Sequence, residues 1–338
     1  MKTLILTFTL TGVVALLAGI GFGWKMNIPA NGGWNVKPIT PTLPPSESEA
    51  ALGILLAKTP EEIEKTDIAT INWACLSGYP GTEDLHLDAG RARIDQLAQK
   101  VKAATDAALK GITAQHPTFK DSPEFRAYML VSTLQEEFYT AHAVDPNDPH
   151  QIPTHQDRPE ELFFSGGTSQ LTFPIMDNPM LFVAVGQADC LKYPMKVATG
   201  KGHFFARWDD GKTRFNIEET GDNMRPRSDD AIRRLYPASD QEIKEGQLFR
   251  SMDHAQVFAA CLQARGNMMQ KMGYIPEASA AYAAAHRFAP DVPLYSIFLT
   301  SSIDTWMQAN NLDWKVMDQT NADRFNLTPL TMPKETRQ

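Results

Sequence analysis

A β-hairpin that carries a histidine is the feature that most limits the folds open to this chain. The stretch Tyr193–Glu218 reads YPMKVATGKGHFFARWDDGKTRFNIE, in which strand-forming residues flank Asp210-Gly211, a dipeptide typical of two-residue hairpin turns. Before the turn, residues from Phe204 to Trp208 alternate between two faces, as in a strand. The segment therefore predicts two antiparallel strands and a fold that contains a sheet.

The strand register decides which side chains share a face of this hairpin. Counting outward from a two-residue loop pairs Trp208 with Thr213 and His203 with Glu218. Directly opposed residues have Cβ atoms about 4.5–5.5 Å apart, so Glu218 could accept an imidazole N–H and fix its tautomer. Such a pair supplies the base and the orienting group of a catalytic triad. The alternative is an ordinary cross-strand pair on a solvated face, because a register slip of one residue turns the two side chains apart.

Composition places the chain among globular proteins and disfavours one class of partner. The 338 residues are 43% hydrophobic and 21% charged, with a formal net charge of −8. This acidic balance argues against nucleic acid or an anionic membrane surface as the main partner. The three cysteines, Cys75, Cys190 and Cys261, are too few for a disulfide framework. One pair could form in an exported protein, but nothing in the sequence selects it.

Residues 1–25 are predicted to be a membrane anchor or a signal segment. Residues 4–24 are uncharged and mostly apolar, lie between Lys2 and Lys25, and are long enough to cross a bilayer. A retained anchor, a cleaved signal and a buried core helix are the three interpretations. Lys2 favours a body that is exported and membrane-anchored, or secreted if the segment is cleaved. The proline-rich residues 26–50 are predicted to be an extended linker.

Helical signals dominate before and after the hairpin. Thr59-Pro60-Glu61-Glu62 has the pattern of a capping box and predicts a helix from there to about Gly78. A longer helix is predicted from Leu87 to about Thr113, and the apolar run PMLFVAVG, which begins at Pro179, predicts a short buried one. We therefore predict one domain over residues 51–245, with N-terminal helices and a sheet.

Residues 246–316 are predicted to be a helical region. Small and aromatic residues there match the spacing of one tetratricopeptide repeat: Gly266, Gly273, Tyr274, Ala278, Tyr282, Ala285 and Pro290. In such a unit the small residues let two antiparallel helices approach, and the aromatic ring fills the gap. Since one copy cannot build a solenoid, we expect a helical hairpin packed on the main domain, with a peptide-binding groove as the alternative. Residues 317–338 are predicted to be a polar tail.

Neither a metal nor a cofactor is predicted. Potential ligands do cluster in the polar stretch between Ala143 and Glu160, namely Asp145, Asp148, His150, His155 and Asp157. The prolines of that stretch break any helix that would align these side chains, and no ligand spacing recurs. We expect a solvated loop there.

The order of the motifs resembles that of a known family. The series NWACLSGYPGTEDLHLDAGRARIDQLA, PMLFVAVG, YPMKVATGKGHFFARW and RFNIEETG, followed by the tetratricopeptide-like unit, resembles bacterial transglutaminase-like proteins of the second core type. The resemblance covers roughly Ala51 to Pro290. It implies a papain-like α+β fold in which a cysteine begins a helix packed on the sheet, where the helix N-terminus and a histidine lower the thiol pKa. His203 matches the family histidine, Glu218 stands where an aspartate is more usual, and Asn216 is the alternative orienting residue.

The nucleophile is the point at which this chain departs from the family. The cysteine should stand about four residues before Pro179, yet the segment LTFPIMDNP contains none. An alternative match makes Ser169, or Thr168 beside it, the substitute, although a serine hydroxyl is far less acidic than a thiol. Cys190 lies near the far end of the same helix, more than about 10 Å from its start at a rise of about 1.5 Å per residue.

Three functions follow from this reading. The leading prediction is a membrane-tethered, transglutaminase-like pseudoenzyme that lacks its nucleophile and binds a peptide or protein without turning it over. The first alternative is an active acyl-transfer or amide-hydrolysing enzyme that uses Cys190 or Ser169 with His203 and Glu218. The second is a scaffold that acts through its tetratricopeptide-like helices.

Overall fold

The computed structural model describes residues 47–76, 86–141, 179–217, 226–271 and 274–309. In this part of the chain it has eleven helices and one four-stranded antiparallel sheet, which confirms the predicted α+β class. The helices are α1 Glu47–Ala57, α2 Pro60–Ile63, α3 Ile68–Cys75, α4 Leu87–Gln115, α5 Pro123–Ala141, α6 Pro179–Gln187, α7 Asp229–Leu235, α8 Asp240–Gly246, α9 His254–Lys271, α10 Ile275–Phe288 and α11 Pro293–Ala309. The strands are β1 Met195–Gly200, β2 His203–Asp209, β3 Arg214–Ile217 and β4 Pro226–Arg227.

Helix α6 joins the helices to the sheet. Every residue from Pro179 to Gly186 is buried, as a helix that is apolar on all sides requires. It packs on α3, α4 and α5 and also on β1 and β2. Gly186 permits the close approach to β1, because a Cβ at this position would lie 2.6 Å from Cγ of Met195. The buried helix predicted from the run PMLFVAVG is therefore present.

The sheet has the order β1-β2-β3-β4, and the side chains of successive residues enter two different apolar clusters. Val197 and Ala206 belong to the large core that the helices form. Phe205 belongs to a smaller cluster, which it forms with Ile232 of α7 and Phe249. Because successive side chains of a strand point to opposite faces, one face of the sheet packs in the main core and the other in the smaller cluster.

The chain returns to the sheet after α8 and follows the free side of β1. The N–H of Phe249 donates to the carbonyl of Thr199 at 2.7 Å, and that of Met252 donates to the carbonyl of Val197 at 2.9 Å. Ser251 forms an isolated antiparallel bridge with Ala198 between these two bonds. Residues 249–252 therefore cover the outer edge of β1.

The long helix predicted from Thr59 is two helices, α2 and α3. Thr59 caps the first as expected: its Oγ1 accepts the N–H of Glu62 at 3.3 Å, and its own N–H donates to Oε2 of Glu62 at 2.8 Å. Asp67 then caps α3, with Oδ1 accepting the N–H of Thr70 at 2.7 Å. Because an N-cap residue is extended rather than helical, Asp67 interrupts a pattern whose apolar spacing is continuous.

The C-terminal helices pack in the way that the small residues predict. A Cβ at Gly266 of α9 would lie 2.4 Å from the ring of Tyr282 on α10, so the glycine lets the two helices approach. The hydroxyl of Tyr282 donates to Oδ1 of Asn267 at 2.7 Å. Helix α11 packs on α10, where the buried Ser279 and Ser302 hydroxyls are 2.7 Å apart. Helix α9 also packs on α2 and α3.

The prediction of a membrane anchor has to be corrected for the described part of the chain. None of the helices in the described ranges combines the length and the uninterrupted apolar surface that crossing a bilayer requires. The 29-residue α4, for example, carries Arg91, Lys100 and Asp106. Residues 4–24, on which the prediction rested, lie outside the described residues, as does the predicted tail 317–338. Helix α1 begins at Glu47, within the stretch predicted as a linker.

Candidate functional site

The hairpin turn is a four-residue loop rather than the two-residue turn that Asp210-Gly211 predicts. The side chain of Asp210 closes the loop, since its Oδ1 accepts the backbone N–H groups of Lys212 at 2.8 Å and Thr213 at 2.7 Å. Gly211 has φ +81°, in the left-handed region that glycine adopts without strain. An aspartate that binds the backbone two residues further on favours this wider loop.

The wider loop changes the strand register on which the predicted catalytic pair depended. Arg207 lies opposite Asn216, whereas a two-residue turn would have paired it with Arg214. The register that would place His203 opposite Glu218 is therefore not the one that forms. Glu218 itself lies outside the described residues.

His203 begins β2 and is positioned by an aromatic ring. It lies opposite Gly200 of β1, and its imidazole stacks on Tyr236, with ring centroids 4.5 Å apart and planes inclined by 14°. Tyr236 directly follows α7. The tyrosine ring thus contacts the face of the imidazole and orients it by stacking. The sequence analysis instead predicts a carboxylate that accepts a hydrogen bond from an N–H at the edge of the imidazole.

Asn216, the alternative orienting residue, binds an arginine. Its Oδ1 accepts from Nε of Arg207 at 2.6 Å. Its Nδ2 donates to Oδ1 of Asp229 at 2.9 Å and to the carbonyl of Arg227 at 3.1 Å. Since the carboxamide is fully buried and bonded at both ends, Asn216 anchors Arg207 rather than the histidine.

Arg207 is the centre of this buried polar cluster. Only 1% of the residue is exposed. Besides Asn216, its guanidinium donates to Oδ1 of Asp229 at 2.8 Å, to the carbonyl of Phe249 at 3.1 Å and to Oγ of Ser251 at 3.3 Å. Burial lowers the pKa of Arg207, and the Asp229 carboxylate acts in the opposite direction. The cluster ties β2 and β3 to α7 and to the returning segment 249–252.

Cys190 and His203 lie at opposite ends of the hairpin that β1 and β2 form. Cys190 is in the turn after α6, where Nε2 of Gln187 donates to the carbonyl of Met195 at 2.9 Å. Met195 begins β1, whereas the partner of His203 ends it, about 17 Å further along at about 3.4 Å per residue. Burial raises the pKa of the Cys190 thiol, which reduces the thiolate near neutrality. Its position and its pKa both oppose a role as the partner of His203.

A cleft of about 300 Å³ opens between the start of α5 and the segment that leads into β1. We call it the Tyr193 cleft. Its lining includes Tyr193 and Trp208, whose ring centroids are 5.4 Å apart. The guanidinium of Arg126 lies 5.7 Å from the centroid of the Tyr193 ring, a cation–π distance. The cleft therefore combines an aromatic surface with a fixed positive charge.

The charges around the Tyr193 cleft are unequal. Arg126 donates from Nε to Oδ2 of Asp121 at 2.8 Å, and this bond raises the pKa of Arg126. Lys192, also in the lining, is exposed and has φ +53°. Two cations thus face one carboxylate, which suits a ligand that carries an anionic group beside an apolar one.

The remaining predicted site residues, Ser169 and Thr168, lie outside the described residues, as does the polar stretch between Ala143 and Glu160. In the described ranges, no group of three or more histidine, cysteine, aspartate or glutamate side chains could hold a metal ion. The structure therefore describes three of the six candidate catalytic residues, and it places His203, Asn216 and Cys190 in three separate surroundings. One signal could have indicated the polar cluster, namely the arginine in the otherwise apolar strand centre FFARW.

Comparisons with known proteins add no relative to this description. No protein-family model, curated protein or solved structure matches the chain.

Proposed function

We propose that this chain is a transglutaminase-like protein that binds a peptide or protein ligand without turning it over. The observation that carries the proposal is the condition of Cys190. Its thiol pKa is raised, not lowered, and it lies at the end of the hairpin away from His203. A cysteine nucleophile needs the reverse of both conditions, because the thiolate is the reactive species and the histidine is its base.

The packing of α6 supports the transglutaminase-like part of the proposal. In the fold that the resemblance implies, the helix that carries the nucleophile packs on the sheet near the histidine. Helix α6 packs on β1 and β2, and His203 belongs to β2. The segment LTFPIMDNP, which leads to the first residue of α6, has no cysteine.

The Tyr193 cleft supports the binding part. Tyr193 and Trp208 provide an aromatic surface for an apolar side chain, and Arg126 and Lys192 provide positive charge for a carboxylate. A peptide can present both groups together, either at its C-terminus or with an acidic side chain next to an apolar one. We therefore place the ligand in this cleft.

Catalysis is tested first on the full-length protein. The probes are casein with a fluorescent primary amine as acyl acceptor, and panels of peptide anilides and p-nitrophenyl esters. We expect no product above the buffer rate for the wild type or for His203→Ala. Turnover that His203→Ala abolishes would overturn the proposal, and the variants Ser169→Ala and Cys190→Ala would then identify the nucleophile.

Thiol alkylation between about pH 5.5 and 8.5, resolved by peptide mass, tests the same point without a substrate. Because its pKa is raised, Cys190 should react slowly near neutrality, and its rate should still be rising at the upper end of the range, at the pKa of a free thiol, about 8.5. His203→Ala should leave this profile unchanged. Rapid alkylation of Cys190 at pH 5.5 that depends on His203 would instead indicate a tuned thiolate.

Binding is tested with a panel of fluorescent peptides that end in an apolar residue, each with a free or an amidated C-terminus. Lys192→Gln should weaken binding of the free-carboxylate peptides several-fold, since it removes an exposed cation from the cleft. Lys212→Gln is the matched control, because this exposed lysine lies in the hairpin loop. Equal effects of the two variants, or no peptide bound by the wild type, would count against the cleft as the ligand site.

A further inference from the structure

Two of the three cysteines lie together in a fully buried group of sulfur atoms. Cys75 of α3, Cys261 of α9 and Met180 of α6 are each 0% exposed, as is Asn72 of α3. Sγ of Cys261 lies 4.0 Å from Sδ of Met180. Nδ2 of Asn72 contacts both sulfur atoms, at 2.7 Å from Met180 and 3.9 Å from Cys261. Three helices that are distant in the sequence thus meet at these side chains.

The contacts between α3 and α9 bring Cys75 to Cys261. Asn72 and Cys75 are three residues apart and share a face of α3, and it is Asn72 that contacts the Cys261 sulfur. Arg265, one turn after Cys261, donates from Nη1 to the carbonyl of Cys75 at 2.9 Å. The same turns of the two helices therefore face each other. A hydrogen bond with the Cys75 thiol, together with burial, raises the pKa of Cys261 well above its ordinary value.

We propose that Cys75 and Cys261 are a redox pair, which forms a disulfide between α3 and α9 when the chain folds in the presence of a small disulfide such as oxidised glutathione. One protein thiolate attacks the S–S bond of the oxidant, and one glutathione leaves as its thiol. The second protein thiolate attacks the mixed disulfide, and the second glutathione leaves. Two protein thiols lose their protons and are oxidised to one S–S bond, and one glutathione disulfide is reduced to two thiols.

The fold determines when this exchange occurs. In the folded protein both thiols are fully buried, and the pKa of Cys261 is raised, so external oxidants react slowly with the pair. The proposed exchange therefore has to occur while the chain folds, before the core covers the two thiols, because an external disulfide can reach them only then. Cys190 stands apart, because it is half-buried in the turn after α6 and has its own surroundings. The structure thus selects a pair that the sequence leaves open.

The test is to refold the full-length chain in buffers of oxidised and reduced glutathione, and separately in reducing agent alone. Remaining thiols are blocked with N-ethylmaleimide under denaturing conditions, and the peptides are identified by mass. We expect one cross-linked peptide that joins Cys75 to Cys261, with Cys190 blocked or carrying glutathione. The oxidised protein should also have a melting temperature higher by roughly 10 °C, because the cross-link restricts the unfolded chain.

Cys75→Ala or Cys261→Ala could prevent folding, so the control is a cysteine variant that retains both of these residues. Cys190→Ala should give the same cross-link in the same yield, whereas Cys75→Ala and Cys261→Ala should each abolish it. A cross-link that involves Cys190 would overturn the proposal. So would wild-type protein that refolds in oxidised glutathione with Cys75 and Cys261 both free or both carrying glutathione.

Discussion

Arg207 shows how one buried charge can organise this sheet. Its guanidinium is hydrogen bonded to the side chains of Asn216, Asp229 and Ser251 and to a backbone carbonyl. Burying a charge is costly unless it is paired and hydrogen bonded. All four acceptors would lose a donor together if the arginine were removed. The cluster therefore makes the position of β2 relative to β3, α7 and segment 249–252 depend on one side chain.

Replacing this arginine should be far more damaging than replacing its exposed neighbour. We expect Arg207→Met to lower the free energy of unfolding by about 3–5 kcal/mol, because it removes the cation that Asp229 pairs with and leaves the buried Oδ1 of Asn216 without its donor. Arg214→Met, which removes an arginine whose side chain is 54% exposed, should cost about 0–1 kcal/mol. Urea unfolding followed by circular dichroism measures both variants. Equal destabilisation by the two would show that the cluster carries no special weight.

Single residues also mark the limit of what the sequence could predict about the site. The strands and the turn were evident from the alternation around Asp210-Gly211. The register was not, because it depends on whether the Asp210 carboxylate binds the backbone of Lys212 and Thr213. The observed strand pairing differs by two residues from the one that would bring Glu218 opposite His203. The partners of Arg207 were hidden for another reason, since they come from three separate parts of the chain.

At the scale of elements, the sequence predicts a helix or a helix contact correctly where one capping residue, one apolar run or one glycine decides whether it forms. The capping box at Thr59, the buried run from Pro179 and the small residues of α9 each gave an element that the structure contains. The prediction failed where two local signals competed. Continuous apolar spacing after Thr59 favoured one helix, but α2 ends at Ile63 and Asp67 caps a second helix, α3.

The contact between α9 and α10 gives a sharp test of helix packing. Gly266→Ala should destabilise the protein by about 1–3 kcal/mol, because the new methyl group would overlap the Tyr282 ring and force the helices apart. Gly111→Ala is the matched control, since a Cβ there meets nothing within 4 Å. That change should stabilise α4 by about 1 kcal/mol through helix propensity alone. Melting temperatures that move in the same direction for both variants would contradict the packing argument.

At the scale of the molecule, the N-terminal and C-terminal helices share one apolar core. Helix α9 packs on α2 and α3, and the core cluster runs from Leu55 to Met307. The sequence suggested a helical hairpin against a main domain, but it could not say which helices would meet. That contact is long-range, and it is also what brings Cys75 to Cys261.

The edges of the sheet have a consequence for how a ligand can be recognised. A peptide that binds by adding a strand needs a row of free backbone N–H and C=O groups along an edge. Here residues 249–252 occupy the edge of β1, and the other edge is the two-residue β4, whose Pro226 has no N–H to offer. Strand addition is therefore disfavoured at both sides, for a foreign peptide and for a second copy of the chain alike. If the proposed ligand binding holds, the described sheet favours recognition by side-chain chemistry, so that a ligand is distinguished by the groups it carries rather than by how extended it is.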